Sequence, residues 1–509
     1  MPSNTDTTTA TGIAFAIARL EPFRTFLRTA RLLVPLSLVL AACSAQPAAD
    51  PPPVAAANLE KTPELAPAVQ REHARILAAY GGAYEQPQLE ALLAKTVDRL
   101  VAASERPDLK YKITILNSPS INAFALSSGQ LYITRGLIAL ANDSSELASV
   151  LSHEMAHVIA RHAAFREDQA RQAQVYSRVY TELLGDPQMG ALALARSKVA
   201  LAIFSRAQEF EADGIGVGIS ARAGFDPYGA QRLLTSMELN AELNSHVAGR
   251  TTANANTSPP DFLSSHPSTP DRIRNARANA RQYASPGTGK RDKNEYLKML
   301  DGLVYGDDPS EGIVRGRRFL HPKLGFTFTA PAGFSLDNTA QAVFGIKDNG
   351  TQALRLDVVH AAPNQAPTDY LNSSWLENID GKSITETVIN GLPAATATAT
   401  NDEWAFRLFI IRFDDDMCRF IFASKHATET AERAIGESIA TFRRLIPAEA
   451  ASVKPFRIKV VRVAAGNTVE SLARRMAIKD RAIERFRVLN GLATGDKVKP
   501  GDLVKIVVE

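Results

Sequence analysis

A chain of 509 residues, 45% of them hydrophobic, is too long for one core and sets the expectation of roughly two to four domains of ordinary soluble composition. Its net charge of +4 is mild, and beyond the N-terminal arginines no dense basic block occurs, so a nucleic-acid partner is not indicated. Two cysteines, Cys43 and Cys418, exclude both a disulfide framework and a cysteine-rich metal site.

The chain opens on Arg19, Arg24, Arg28 and Arg31, followed by the apolar run Leu32 to Leu40, which is too short to span a bilayer and suits the hydrophobic region of a signal peptide. Leu40-Ala41-Ala42-Cys43 then resembles the bacterial lipobox. That resemblance implies a signal peptide over 1–42, cleavage before Cys43 and a membrane anchor of several acyl chains on that cysteine. Ser44 beside it implies an outer-membrane address facing the periplasm. The Pro/Ala-rich stretch to Pro67, with PPP at 51–53, reads as an extended tether over 43–67.

From Ala68 the pattern turns helical. Leu89 to Ala103 repeats apolar residues at three and four and predicts an amphipathic helix. Tyr111 to Leu116 alternates and predicts a strand, and Asn122 to Thr134 predicts a hairpin turning at 127–129. Helices are expected from there to about Tyr283, with a boundary at Ser285 to Lys293.

Within the helical region stands His153-Glu154-Met155-Ala156-His157, opened by a capping-box-like Asp143 and Glu146. Four residues apart on a helix, the two imidazoles share a face and can reach one zinc ion. Glu154, offset by one residue, lies beside the metal and can act as general base. A catalytic zinc takes three protein ligands. Glu209, in the helical stretch Leu194 to Ser220, can supply the third, while Asp213, four residues on, can hold the second N–H of a ligating histidine. Glu211 is expected on the solvated side of that helix. His162, five residues after His157, is read as surface. His266 can approach the open metal position, stabilise an oxyanion, or merely cap the helix beginning near Thr269; Arg272 is expected in a buried salt bridge supporting the site.

HExxH followed by ExxxD resembles the gluzincins of the HtpX and CAAX-prenyl-protease type. Asn122 to Leu126 with Gly129 to Thr134, Ala223-Gly224-Phe225-Asp226-Pro227, and Ser265-His266-Pro267 with Arg272-Ile273 resemble that family's further motifs in the right order. Ser127-Ser128 departs from the family's turn, where a proline is common. The signal sequence makes the chain similar to the periplasmic BepA/LoiP-like lipoprotein branch. The resemblance implies a zinc metallopeptidase domain over 68–285, one Zn2+ per chain, and hydrolysis of peptide bonds in unfolded or misassembled envelope proteins added as a strand to the edge of the Asn122–Thr134 hairpin. A chaperone or assembly factor that keeps the fold, or a peptidoglycan-anchored scaffold, are the rival expectations.

Beyond a linker at 286–314, strands at Gly325 to Thr329, Ala353 to His360, Ala405 to Phe413 and Cys418 to Ala423, with a helix at Glu429 to Phe442, predict a small α+β domain over 315–446. Gly466-Asn467-Thr468, Ser471-Leu472-Ala473, Leu489-Asn490-Gly491 and Pro500-Gly501-Asp502 in the segment 456–509 resemble a βααβ LysM module, which implies a peptidoglycan partner. The expected fold class is therefore multidomain: a mainly α-helical gluzincin domain with a small β-sheet, an α+β domain and a LysM-like module.

Overall fold

The computed structural model describes residues 66–165, 168, 171, 205–247, 262–267, 270–347, 350–373, 375–376, 378–401, 403–426 and 428–509. The expected signal peptide, Cys43 and all of the tether but its last two residues lie outside these residues, as does the polar stretch 248–261. Among the described residues no helix is long and apolar enough to cross a membrane.

Helices α1 (Pro67–Ala79) and α2 (Pro87–Ala102) both begin on proline, whose fixed φ and missing N–H suit a first turn. α2 buries Leu89, Leu93, Val97 and Leu100 along one face. Strands β1 (Lys112–Leu116), β2 (Ala123–Ala125) and β3 (Gln130–Thr134) form a sheet in the order β1-β3-β2, β1 parallel and β2 antiparallel to β3. In the β2–β3 turn Gly129 sits at φ 83, and a Cβ there would fall 2.4 Å from the Lys110 carbonyl oxygen, so glycine is required. β2 lies at one edge of this sheet.

Then come α3 (Arg135–Leu140), α4 (Ser144–Ile159), α5 (Arg206–Arg222), α6 (Gly229–Val247), the single turn α7 (Phe262–Ser265) and α8 (Pro270–Tyr283). α6 runs on to Val247, so the polar stretch that begins at Asn240 is helical in its first part. α4 is buried along every residue from Ser144 to His157 and forms the axis of this domain. Gly216 of α5 permits a close crossing: a Cβ there would stand 3.0 Å from both Cα and N of His153.

The segment 286–314, expected as a linker, instead packs. α9 (Lys293–Met299) buries Tyr296 and Leu297, Leu300 and Leu303 follow them into the core, and β4 (Val304–Tyr305) joins a sheet. A seven-residue helix and a two-residue strand are too short to leave a periodic signal in sequence.

The middle domain comprises β5 (Ile313–Arg315), β6 (Arg318–His321), β7 (Phe326–Thr329), β8 (Ser335–Asn338), β9 (Val343–Lys347), β10 (Gln352–His360), α10 (Pro367–Leu371), β11 (Thr385–Ile389), β12 (Leu392–Thr400), β13 (Ala405–Phe413), β14 (Asp416–Ser424), α11 (Glu429–Ile439) and β15 (Arg443–Arg444). Its sheets run β11-β12-β13-β14-β10-β9-β8 and β15-β7-β6-β5. One core gathers Phe319, Phe328, Phe420 and Phe442; a second, around Leu371, Ala397 and Ile410, covers other residues of the large sheet.

After α12 (Pro447–Ser452) the chain forms β16 (Phe456–Arg462), α13 (Val469–Ala473), α14 (Ala482–Leu489) and β17 (Leu503–Val508), a β-α-α-β sequence. Its sheet has the order β17-β16-β4, with Phe456 opposite Tyr305. The middle domain is thus inserted between two adjacent strands. The last segment also shares one continuous core with the helical domain, in which Ile458, Leu472, Phe486 and Val507 join Leu140, Leu147, Leu151 and Met155. Lys505 is fully buried, and its Nζ donates to the carbonyls of Ala139, Leu140 and Ala141 at 2.7, 3.2 and 2.7 Å, satisfying the open C-terminal end of α3.

Candidate metal centre

The helix that carries the first motif begins at Asp143, whose Oδ1 accepts from the amides of Ser145 (3.0 Å) and Glu146 (3.1 Å). The Glu146 carboxylate accepts from the amide of Asn142 (2.9 Å) rather than from that of Asp143, one residue away from the expected capping box. From this capped start, the α-helical repeat puts His153 and His157 on one face with Nε2 atoms 3.1 Å apart.

α5 delivers the second motif. Its N-terminus is closed by a capping box between Ser205 and Gln208, and Glu209 follows in the first turn. Glu209 Oε1 lies 3.5 Å from His157 Nε2, and Oε2 lies 3.6 Å from His153 Nε2. One turn later Asp213 Oδ1 stands 3.1 Å from His153 Nδ1. Arg272 of α8 is buried and grips the same Asp213 with Nε at 2.9 Å and Nη2 at 2.7 Å. Its Nη1 lies 2.7 Å from Glu209 Oε2 and donates to the carbonyl of His266 at 3.1 Å. His266 follows α7, stacks on Phe262 with ring centroids 4.5 Å apart, and brings Nδ1 to 2.9 Å from Glu209 Oε1 and 3.4 Å from His153 Nε2. Its Nε2 is 3.7 Å from Glu154 Oε1. The structure therefore brings together His153, Glu154, His157, Glu209, Asp213, His266 and Arg272; Cys43 lies outside the described residues.

The electrostatics follow from burial opposed by partners. Burial pushes the His153 imidazole down, but the Asp213 and Glu209 carboxylates outweigh it and hold it up to about 9. Burial works against ionised Glu209 and Asp213 too, yet the hydrogen bonds from His153 and His266 to the first, and from Arg272 and His153 to the second, keep both below the ordinary carboxylate range. His157 is pushed down by burial and by its imidazole neighbours, towards the neutral form that a metal requires. Burial raises Glu154.

These residues fit a metal. One ligand atom each from His153, His157, Glu209 and His266 all lie within 4.8 Å of one another, and all four side chains are buried. Imidazole nitrogens with a carboxylate oxygen form a donor set suited to a single ion of the zinc type. Glu154 Oε1 is buried with no hydrogen-bond partner among the described residues, which suits a site built around one further polar group.

One reading is corrected. His162, expected at the surface, is buried, and its Nδ1 stands 2.9 Å from Nδ1 of His157. The helical projection fails because α4 ends at Ile159 and Arg161 adopts φ 57, a left-handed residue that interrupts the helical repeat before His162. No local signal in the residues marks that turn. Glu211 is exposed as expected, and its Oε2 lies 3.3 Å from His162 Nε2.

Residues 87–280 match the model of peptidase family M48. The chain is 30% identical over 234 residues to the beta-barrel assembly-enhancing protease of Yersinia pestis, covering 44% of this chain and 45% of that one. It is 31% identical over 184 residues to the mitochondrial metalloendopeptidase OMA1 of Schizosaccharomyces pombe (36% of this chain, 50% of that one) and 31% identical over 196 residues to the beta-barrel assembly-enhancing protease of Escherichia coli K12 (36% and 37%). The chain thus spans half or less of the length of these relatives.

Proposed function

We propose that this protein is a zinc-dependent endopeptidase of the bacterial cell envelope, with the stretch 87–280 that matches peptidase family M48 as its catalytic domain. The convergence of His153, His157 and Glu209 on one point, with Glu154 beside it, carries this reading. In it His153, His157 and Glu209 hold Zn2+, one per chain. The ion would supply Lewis-acid polarisation of the scissile carbonyl and acidification of the attacking water. Glu154 takes the proton of that water and passes it to the leaving amine; its burial, which raises its proton affinity, suits the task. Asp213 fixes the His153 tautomer, and Arg272 fixes Asp213. The edge strand β2 is where an extended substrate pairs through its backbone, with little demand on sequence. Unfolded or misassembled envelope proteins are therefore the substrates we assign; two of the similar proteins are named as beta-barrel assembly-enhancing proteases. Lipid anchoring at Cys43 to the outer membrane and peptidoglycan binding by 456–509 complete the proposal. His266, which offers a ligand atom to the same cluster, restrains the enzyme at rest and is displaced by substrate.

The test is Glu154→Gln in the full-length protein. The variant should keep one zinc and lose cleavage of an unfolded polypeptide, and uncleaved envelope proteins should accumulate in cells that carry it. Full activity in Glu154→Gln, or wild-type protein without zinc, would overturn the assignment.

A further inference from the structure

His162 belongs to neither ligand motif, yet both of its ring nitrogens meet partners. Nδ1 lies 2.9 Å from His157 Nδ1, and Nε2 lies 3.3 Å from Glu211 Oε2. Two nitrogens at that separation form a hydrogen bond only if one carries a proton and the other a lone pair. His157 settles which is which, because its Nε2 faces the cluster, 3.1 Å from His153 Nε2 and 3.5 Å from Glu209 Oε1. A ligand nitrogen must offer its lone pair to the ion, so the neutral His157 ring carries its proton on Nδ1. His162 Nδ1 then accepts that proton, the His162 proton sits on Nε2, and Glu211 accepts it. This single assignment of protons suits all three groups. The other imidazole of the HExxH pair is backed differently: His153 Nδ1 faces Asp213, itself gripped by buried Arg272.

Position makes the contact possible. On a continuing helix a residue five places after His157 would point about 140° away from it. The left-handed Arg161 breaks that repeat, and His162 lies edge-on to His157 with ring centroids 4.9 Å apart. Glu211 reaches it from α5, from the side of that helix opposite to the ligand, and remains 59% exposed.

We infer that His162 is a positioning residue for the metal, accepting the Nδ1 proton of His157 and so fixing the ring orientation and tautomer with which His157 meets the ion. The inference rests on the zinc reading above. Glu211 is the outer end of the chain and holds the His162 tautomer. The two histidines of HExxH are therefore secured by unlike partners, a locked carboxylate for His153 and a second imidazole linked to the surface for His157.

The experiment is a zinc competition titration of the full-length protein against a chromophoric chelator. His162→Phe keeps the bulk but offers no acceptor, and should lose roughly 10- to 100-fold in zinc affinity. His162→Gln offers a carbonyl oxygen to the same proton and should recover most of that loss. Zinc affinity in His162→Phe equal to wild type would overturn the inference while leaving the zinc assignment intact. Wild-type protein that binds no zinc would overturn the zinc assignment and this inference with it. Nitrogen NMR of zinc-loaded wild type gives a second measurement that needs no folded variant. His162 should carry its proton on Nε2, and a proton on Nδ1 would overturn the inference.

Discussion

Asp213 shows how much of the site depends on a residue that never needs to touch the ion. Its two oxygens take Arg272 in a fork and His153 at 3.1 Å, so replacing it with asparagine leaves the buried guanidinium with one carboxylate fewer and the imidazole without its orienting charge. Asp213→Asn should cost about 3–5 kcal/mol of stability, seen in denaturant unfolding of the metal-free protein. The sign of its pH dependence follows from its depressed value. A carboxylate that titrates lower when folded contributes its full stabilisation above its unfolded range, near pH 4, and loses it as pH falls through the folded value. The stability gap between wild type and Asp213→Asn should therefore be widest between about pH 5 and 6.5, close on acidification, and narrow again as pH rises through about 9, where His153 gives up the proton that Asp213 helps to hold; a gap that widens in acid would contradict it. His266 makes a sharper prediction. If it restrains the enzyme, His266→Ala keeps zinc and shows raised or broadened cleavage of unfolded substrate. A loss of roughly a hundredfold with zinc still bound would assign it to transition-state stabilisation instead.

At the scale of elements, the site depends on how closely α5 crosses α4. Gly216 lies where a Cβ would meet the His153 backbone at 3.0 Å, and backbone atoms in a buried helix cannot give way. Gly216→Val should push the helices apart, costing about 1–3 kcal/mol in stability and weakening zinc binding, because Glu209 and Asp213 ride on the displaced helix. Gly214, two residues earlier, is the control. A Cβ there meets nothing closer than Asn279 Nδ2 at 3.7 Å, so Gly214→Ala should be neutral or add up to about 1 kcal/mol through helix propensity. Thermal melts and zinc titrations of the two variants separate a packing constraint from a general intolerance of side chains on α5.

The whole molecule is organised by an insertion. β4 and β16 are neighbours in one sheet although the middle domain separates them in sequence, and the last segment completes the core of the helical domain. Two deletions should therefore behave oppositely. Removing 456–509 uncovers Leu140, Leu147 and Leu151 and leaves the α3 carbonyls without Lys505, so the remainder should lose cooperative unfolding and zinc. Excising 310–453 with a short Gly/Ser bridge joins two strands already paired and should leave zinc binding in place. Cooperative melting and full zinc content after removal of 456–509 would show that the shared core is dispensable.

What the sequence determined by itself is the local chemistry. HExxH and ExxxD are spacings within single helices, and a period of 3.6 residues converts them into faces without any knowledge of tertiary contacts. The α2 face, the β2–β3 hairpin and the long strands β10, β13 and β14 were legible for the same reason. The motif order, through its family resemblance, added His266 and Arg272. Tertiary structure alone decided the rest. His162 follows one left-handed residue and is buried, its Nε2 meeting Glu211, 49 residues further on. Lys505 is the one charged residue of the strand Leu503–Val508, and its three hydrogen bonds are to carbonyls more than 360 residues earlier. The role of 286–314 rests on short elements that carry no periodicity and become a strand and a helix only when the returning chain supplies a partner. Contacts between residues distant in sequence leave no spacing to read, and they decide which polar groups are buried and what each of them faces.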